Sequence, residues 1–150
     1  MTGPDQSLPL GKGVLRLLAT TDLHSNLLSY DYYADRPDPS IGLSRVASLI
    51  AEARQEVREA GGTVLLLDNG DGLQGAPIGE ISSDDPIVPH PLMQAFNVLQ
   101  YDAIGLGNHD FNFGLETLEQ VLEQAPCPVI CSNMTAVEEG RKLPFARTTI

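Results

Sequence analysis

The sequence predicts an α/β protein, a layered sheet whose strands alternate with helices along the chain. Short apolar runs take turns with longer stretches patterned at helical spacing, and polar residues suited to chemistry cluster directly after the apolar runs. A chain of 150 residues with 42% hydrophobic and 5% aromatic content is also the size and make-up of one globular domain with a sizeable core.

Residues 1–13 mix Gly, Pro, Asp and Lys and are expected to form a flexible N-terminus, so the domain is read as 14–150. Residues 14–20 form an apolar run of strand type. After a polar, proline-containing loop, Leu43, Val46, Ala47, Ile50, Ala53 and Val57 recur at helical spacing, and Gly61-Gly62 stops that helix. Residues 63–67 are nearly all apolar, as expected of a strand buried on both faces. A helix over 91–99, a strand over 102–106, a helix over 115–124 and a strand over 129–131 complete the alternation. The chain stops on Thr148-Thr149-Ile150, which reads as another strand beginning. The sheet is therefore expected to be unfinished, with apolar surface exposed around Val129 and Ile130.

Charge and cysteine usage exclude several classes. The formal net charge is -11 with no Lys/Arg cluster, which argues against a nucleic-acid polymer as partner. A small phosphorylated substrate stays compatible, because bound divalent cations reverse the sign locally. Cys127 and Cys131 on a strand would point the same way roughly 13 Å apart, too far for a disulfide, and read as small buried hydrophobes. No stretch approaches a membrane span, and the run over 14–19 is too short for a signal peptide and broken by Arg16. No membrane partner is expected, and the location expected from these residues is cytoplasmic.

Three polar clusters follow the first three strands: Asp22-Leu23-His24, Asp68-Asn69-Gly70-Asp71 and Gly107-Asn108-His109-Asp110. In open α/β sheets the carboxyl ends of the strands form the ligand crevice. In Asp-x-His the two side chains project to one side of an extended chain and reach one ion. Gly70 and Gly107 let the backbone turn before Asp71 and Asn108. An Asp, His and Asn ligand mix suits manganese, zinc, iron or cobalt better than calcium. Each cluster alone has an ordinary reading: Gly-Asp is a turn, and Gly-Asn-His-Asp is a helix start capped by Asn108 or Asp110. Their joint occurrence, in this order and each at a strand end, favours a metal site. A dinucleotide fold prompted by Gly105-Leu-Gly107 fails, since its third glycine would be Asp110.

These clusters resemble the calcineurin-like metallophosphoesterases. The wording over residues 19–33, 69–77 and 107–114 is similar to the 5'-nucleotidase family, in its 2',3'-cyclic-nucleotide 2'-phosphodiesterase/3'-nucleotidase branch. The Gly70-Asp-Gly-Leu-Gln-Gly75 segment disfavours the protein Ser/Thr phosphatase branch, which carries Gly-Asp-x-x-Asp-Arg-Gly. The resemblance implies a metallophosphoesterase sandwich holding two divalent ions, with Asp22 and His24 on the first, Asp71 bridging both and Asn108 on the second. It implies that His109 stabilises the transition state or protonates the leaving group, with a small-molecule nucleotide as substrate. Related 5'-nucleotidases pair that histidine with an Asp three residues on, where this chain has Asn112. An amide cannot stabilise an imidazolium as a carboxylate does. That leaves the partner of His109 open, with Asp110 the neighbouring carboxylate.

The family completes its metal site with a later Gly-His-x-His segment and binds the base in a separate C-terminal domain. Neither lies in these residues, so the resemblance implies the N-terminal part of such an enzyme, with little activity on its own. It also implies that a periplasmic location is usual. The competing reading is a truncated or degenerate metal-binding domain without catalysis. Tyr30, Tyr32 and Tyr33 are expected to pack against the sheet rather than face substrate, and His90, between two prolines, is expected in a surface loop.

Overall fold

The computed structural model describes residues 13–84, 89–137 and 140–148. The expected flexible N-terminus therefore lies outside the described residues apart from Gly13, as do Thr149 and Ile150 of the expected last strand. Strands β1 (Leu15–Thr20), β4 (Thr63–Asp68), β5 (Ala103–Gly105) and β6 (Val129–Ile130) form one parallel sheet in the order β1-β4-β5-β6. Helix α1 (Leu43–Glu59) joins β1 to β4, α2 (Pro77–Asp84) and α3 (Pro91–Leu99) join β4 to β5, and α4 (Leu115–Leu122) joins β5 to β6. A two-stranded hairpin, β2 (Tyr30–Asp31) with β3 (Arg36–Pro37), stands apart from the sheet.

The sheet order decides where the helices go. Each crossover advances one strand in the same direction, and parallel crossovers are right-handed, so the helices collect on one face. The core is built accordingly. Ile50 of α1, Met93 and Phe96 of α3, and Leu118 and Val121 of α4 cluster with Leu66, Ile104 and Val129 of the strands. Leu65 and Leu67, which alternation places on the other face, are only half-buried. The apolar run over 63–67 is thus not buried on both faces. On β1, Leu15 and Leu17 are 60% and 63% exposed.

The far edge is better covered than the sequence suggests. Val129 is 7% exposed, because the chain doubles back and residue 146 continues the sheet beside β6. Cys131 N–H donates to the Ala146 carbonyl at 2.8 Å, and Ala146 N–H to the Val129 carbonyl at 2.9 Å. Cys127 and Cys131 are free thiols, and burial pushes the Cys127 thiol up to about 11.

His90 is no surface residue. It is 1% exposed and caps α3, its Nδ1 accepting from Leu92 N–H at 3.3 Å. Its own N–H donates to Gln124 Oε1 at 2.8 Å, tying α3 to the end of α4. The flanking prolines that suggested a loop instead supply an N1 residue that needs no hydrogen bond. The tyrosines do not pack on the sheet. Tyr30, Tyr32 and Tyr33 sit on the hairpin segment and line a hollow of about 230 Å³ with Asn26, Gly75 and Pro77.

Candidate metal centre

The loops leaving β1 and β4 keep the register of their strands. Asp22 N–H donates to the Gly70 carbonyl at 2.9 Å, His24 N–H to the Asp71 carbonyl at 3.0 Å, and Ser25 N–H to the Gly72 carbonyl at 2.7 Å. The two loops therefore travel together past the sheet edge. Asp22, His24 and Asp71 all adopt left-handed backbone, with φ of 54°, 49° and 56°. The Asp-x-His segment is thus not extended as expected, and alternation along a strand is not what brings its side chains together. Left-handed conformations on non-glycine residues are costly and persist where surrounding contacts hold them, as they do at functional sites. Here the paired loop amides hold them.

The result is convergence. Asp22, His24 and Asp71 each bring a ligand atom within 4.8 Å of the others. His24 Nδ1 lies 2.6 Å from the Gln74 carbonyl. A carbonyl can only accept, so Nδ1 carries a proton and Nε2, 3.9 Å from Asp22 Oδ1, is the nitrogen left to ligate. Two carboxylates and a neutral imidazole fit a borderline divalent cation. His109 N–H donates to Asp71 Oδ1 at 2.8 Å, which locks the third loop onto the second. Asn108 sits one residue from that contact, exposed, with its carboxamide making no cap to the short 3-10 turn His109–Phe111.

Asp110 has a role the sequence did not disclose. It is 2% exposed, and its carboxylate accepts from four backbone N–H groups, those of Asp71, Gly72, Leu73 and Gly107, each at 2.9 Å. It neither caps a helix nor partners His109; it joins the loops after β4 and β5. The two glycines serve that junction differently. Gly70 needs its φ of 97°, whereas Gly107 is not left-handed and is small because a Cβ there would collide with the Asp71 carboxylate. Asp68, at the end of β4, takes a hydrogen bond from Thr20 Oγ1 and one from Gly70 N–H at 3.0 Å. Burial pushes its carboxyl up to about 6 against the pull of those two bonds.

His109 stands at the same edge, half-buried, its ring centroid 5.2 Å from that of His24 and nearly perpendicular to it. Its Nδ1 lies 3.1 Å from Gln74 Oε1 and 3.0 Å from Asn112 Nδ2. Gln74 was not singled out from sequence; its only signal was its place in the segment shared with the family.

A parallel sheet delivering an Asp, His, Asp cluster to its carboxyl edge has the layout of a metal-dependent phosphoesterase, and the comparisons agree. The chain is 42% identical over 139 residues to the trifunctional nucleotide phosphoesterase protein YfkN of Bacillus subtilis, covering 87% of this chain and 9% of that protein. It is 42% identical over 132 residues to the 2',3'-cyclic-nucleotide 2'-phosphodiesterase/3'-nucleotidase of Yersinia enterocolitica, covering 86% and 20%. The crystal structure of the calcineurin-like phosphoesterase YfkN superposes with a TM-score of 0.71 at 42% identity, over 77% of this chain and 36% of that one. A 5'-nucleotidase precursor from Thermus thermophilus superposes with a TM-score of 0.59 at 29% identity, over 88% and 25%. No family model matches the chain. The chain is a homologue of the calcineurin-like phosphoesterases and 5'-nucleotidases and aligns with their N-terminal part. It spans about a fifth of the length of the bifunctional nucleotidases it matches.

Proposed function

We propose that this sheet edge holds two divalent cations, drawn from manganese, zinc, cobalt or iron, and hydrolyses 2',3'-cyclic nucleotides and 3'-nucleotides. The observation that carries the reading is the convergence of Asp22, His24 and Asp71 within 4.8 Å on left-handed backbone. Asp22 and His24 would hold the first ion, Asp71 both, and Asn108 the second. When bound, such ions supply positive charge to the phosphoryl oxygens and acidify the attacking water.

The chain's own groups do the rest. His24 is fixed in the tautomer that ligates, and His109 sits beside it with Nδ1 engaged, leaving Nε2 for the leaving sugar oxygen. No protein nucleophile is required. Ser25, the serine next to His24, is buried and spends its hydroxyl on the Leu73 carbonyl at 2.7 Å.

The test is hydrolysis of 2',3'-cyclic AMP and 3'-AMP by the intact protein after chelator treatment and manganese add-back. Manganese-dependent turnover of both supports the reading. His109→Ala should lower kcat by roughly 10²–10⁴ while leaving metal content unchanged, as loss of an acid catalyst does. Stoichiometric loss of an ion in that variant would reassign His109 as a ligand. Metal binding without turnover in the wild type would support the degenerate-domain alternative.

A further inference from the structure

His109 has no carboxylate on its Nδ1. What it has is a pair of amides: Gln74 Oε1 at 3.1 Å, Asn112 Nδ2 at 3.0 Å, and these two amide atoms within hydrogen-bond distance of each other. Amide oxygen and nitrogen are interchangeable by a flip, so the proton pattern has to be solved for the whole cluster. In the unflipped arrangement Gln74 Oε1 accepts from the Asn112 amide, and Nδ1 joins that pair in either state: with a lone pair it accepts from the Asn112 amide, and with a proton it donates to Gln74 Oε1. The double flip leaves the same choice. Either way both amides are needed to hold the ring by Nδ1.

Gln74 is also anchored where it must be. Its carbonyl accepts from His24 Nδ1 at 2.6 Å, so one residue holds both histidines, through its main chain for one and its side chain for the other. We propose that Gln74, braced by Asn112, is the positioning residue for His109, taking the place of the carboxylate that a His-Asp pair would use. It acts by holding the ring by Nδ1 in one orientation, so that Nε2 stays directed to the reacting oxygen. Neutral amides do this by geometry alone and add no charge, unlike a carboxylate. The main-chain contact to His24 survives substitution, so the two effects of Gln74 separate experimentally. This inference rests on His109 acting on the leaving group, as proposed above.

The test has two readouts on the intact protein. In metal-free, 15N-histidine-labelled protein, the ring signals of His109 are assigned by their loss in His109→Asn. Gln74→Ala should shift them while the His24 and His90 signals stay put, which also verifies the fold. In turnover, Gln74→Ala should lower kcat about 10- to 100-fold, the usual cost of losing an outer partner, with KM and metal content little changed. Adding Asn112→Asp to Gln74→Ala should restore most of the lost kcat by supplying a carboxylate acceptor. Unchanged His109 ring signals in Gln74→Ala, a loss that tracks metal content, or no recovery in the double variant would each overturn the proposal. Should the wild type lack phosphoesterase turnover, the functional reading fails, and the ring-signal measurement still decides whether Gln74 holds the His109 ring.

Discussion

Asp110 shows how much a single buried side chain can organise. Its two oxygens take four backbone N–H groups from two loops, and nothing else in the described residues bonds those amides. Asp110→Asn keeps the shape but turns an NH₂ group toward N–H donors, leaving buried donors without acceptors. We expect a loss of about 3 kcal/mol in urea unfolding, since an unsatisfied buried group costs roughly 1–3 kcal/mol and more than one is created. An unchanged midpoint would show that the loops hold without it. The sequence placed Asp110 in the right cluster but could not reveal this role, because four amides from distant positions leave no mark on local spacing. His90 was misplaced for a related reason: flanking prolines signal a loop and a helix start equally well.

Two buried groups make opposite pH contributions. Burial lowers His90 from its ordinary 6.5 to about 4, with a small opposing pull from the Gly79 carbonyl, while its Nε2 meets no partner in hydrogen-bond geometry. The unfolded chain then takes up the proton first, so stability is full above about 6.5 and is lost as pH falls toward about 4. Asp68 is raised from 3.8 to about 6, so its contribution is full below about 3.8 and lost as pH rises through about 6. Between pH 4 and 6 they oppose. Asp68→Asn should therefore make the unfolding midpoint fall more steeply on acidification than in the wild type. The same pH dependence in both proteins would contradict this.

At the scale of elements, the four sheet strands were legible as short apolar runs, and helices α1 and α4 from period, because Leu43, Ile50 and Val57 or Leu118, Val121 and Leu122 recur where a helix buries one stripe. The β2-β3 hairpin was not, its strands being two residues each, nor was α2, which buries Gly79, Ser82 and Ser83 rather than an apolar stripe. The face of the sheet also escaped notice. A run such as 63–67 suits a strand buried on both sides, and only the strand order shows that the helices lie on one. The exposed apolar edge accordingly moves from Val129 to β1, which among the described residues pairs with β4 alone. An open edge with exposed leucines is a template for association. The 150-residue chain expressed alone should self-associate in sedimentation, and Leu15→Lys with Leu17→Lys should suppress it without unfolding the sheet. Undiminished association would place the sticky surface elsewhere.

For the molecule as a whole, the clusters were read from sequence as a metal site from their joint place after three strands, and only the supporting argument from backbone geometry did not survive. The Asp-x-His pair was expected to converge by extended-chain alternation, and it converges through left-handed loops locked in register with 70–72. Residue types named the chemistry; only the fold supplied the geometry. The described residues contribute Asp22, His24 and Asp71 as a converging set with Asn108 nearby, whereas two zinc-type ions want about four ligands each. We therefore expect the 150-residue chain by itself to bind metal weakly and turn over little. The central claim is that Asp71 sits between two ions. It is tested most directly by calorimetric titration of manganese into the metal-stripped intact protein and its Asp71→Ala variant. The account predicts two ions bound by the wild type and weakening of both sites in the variant; binding of manganese by Asp71→Ala indistinguishable from the wild type would contradict it.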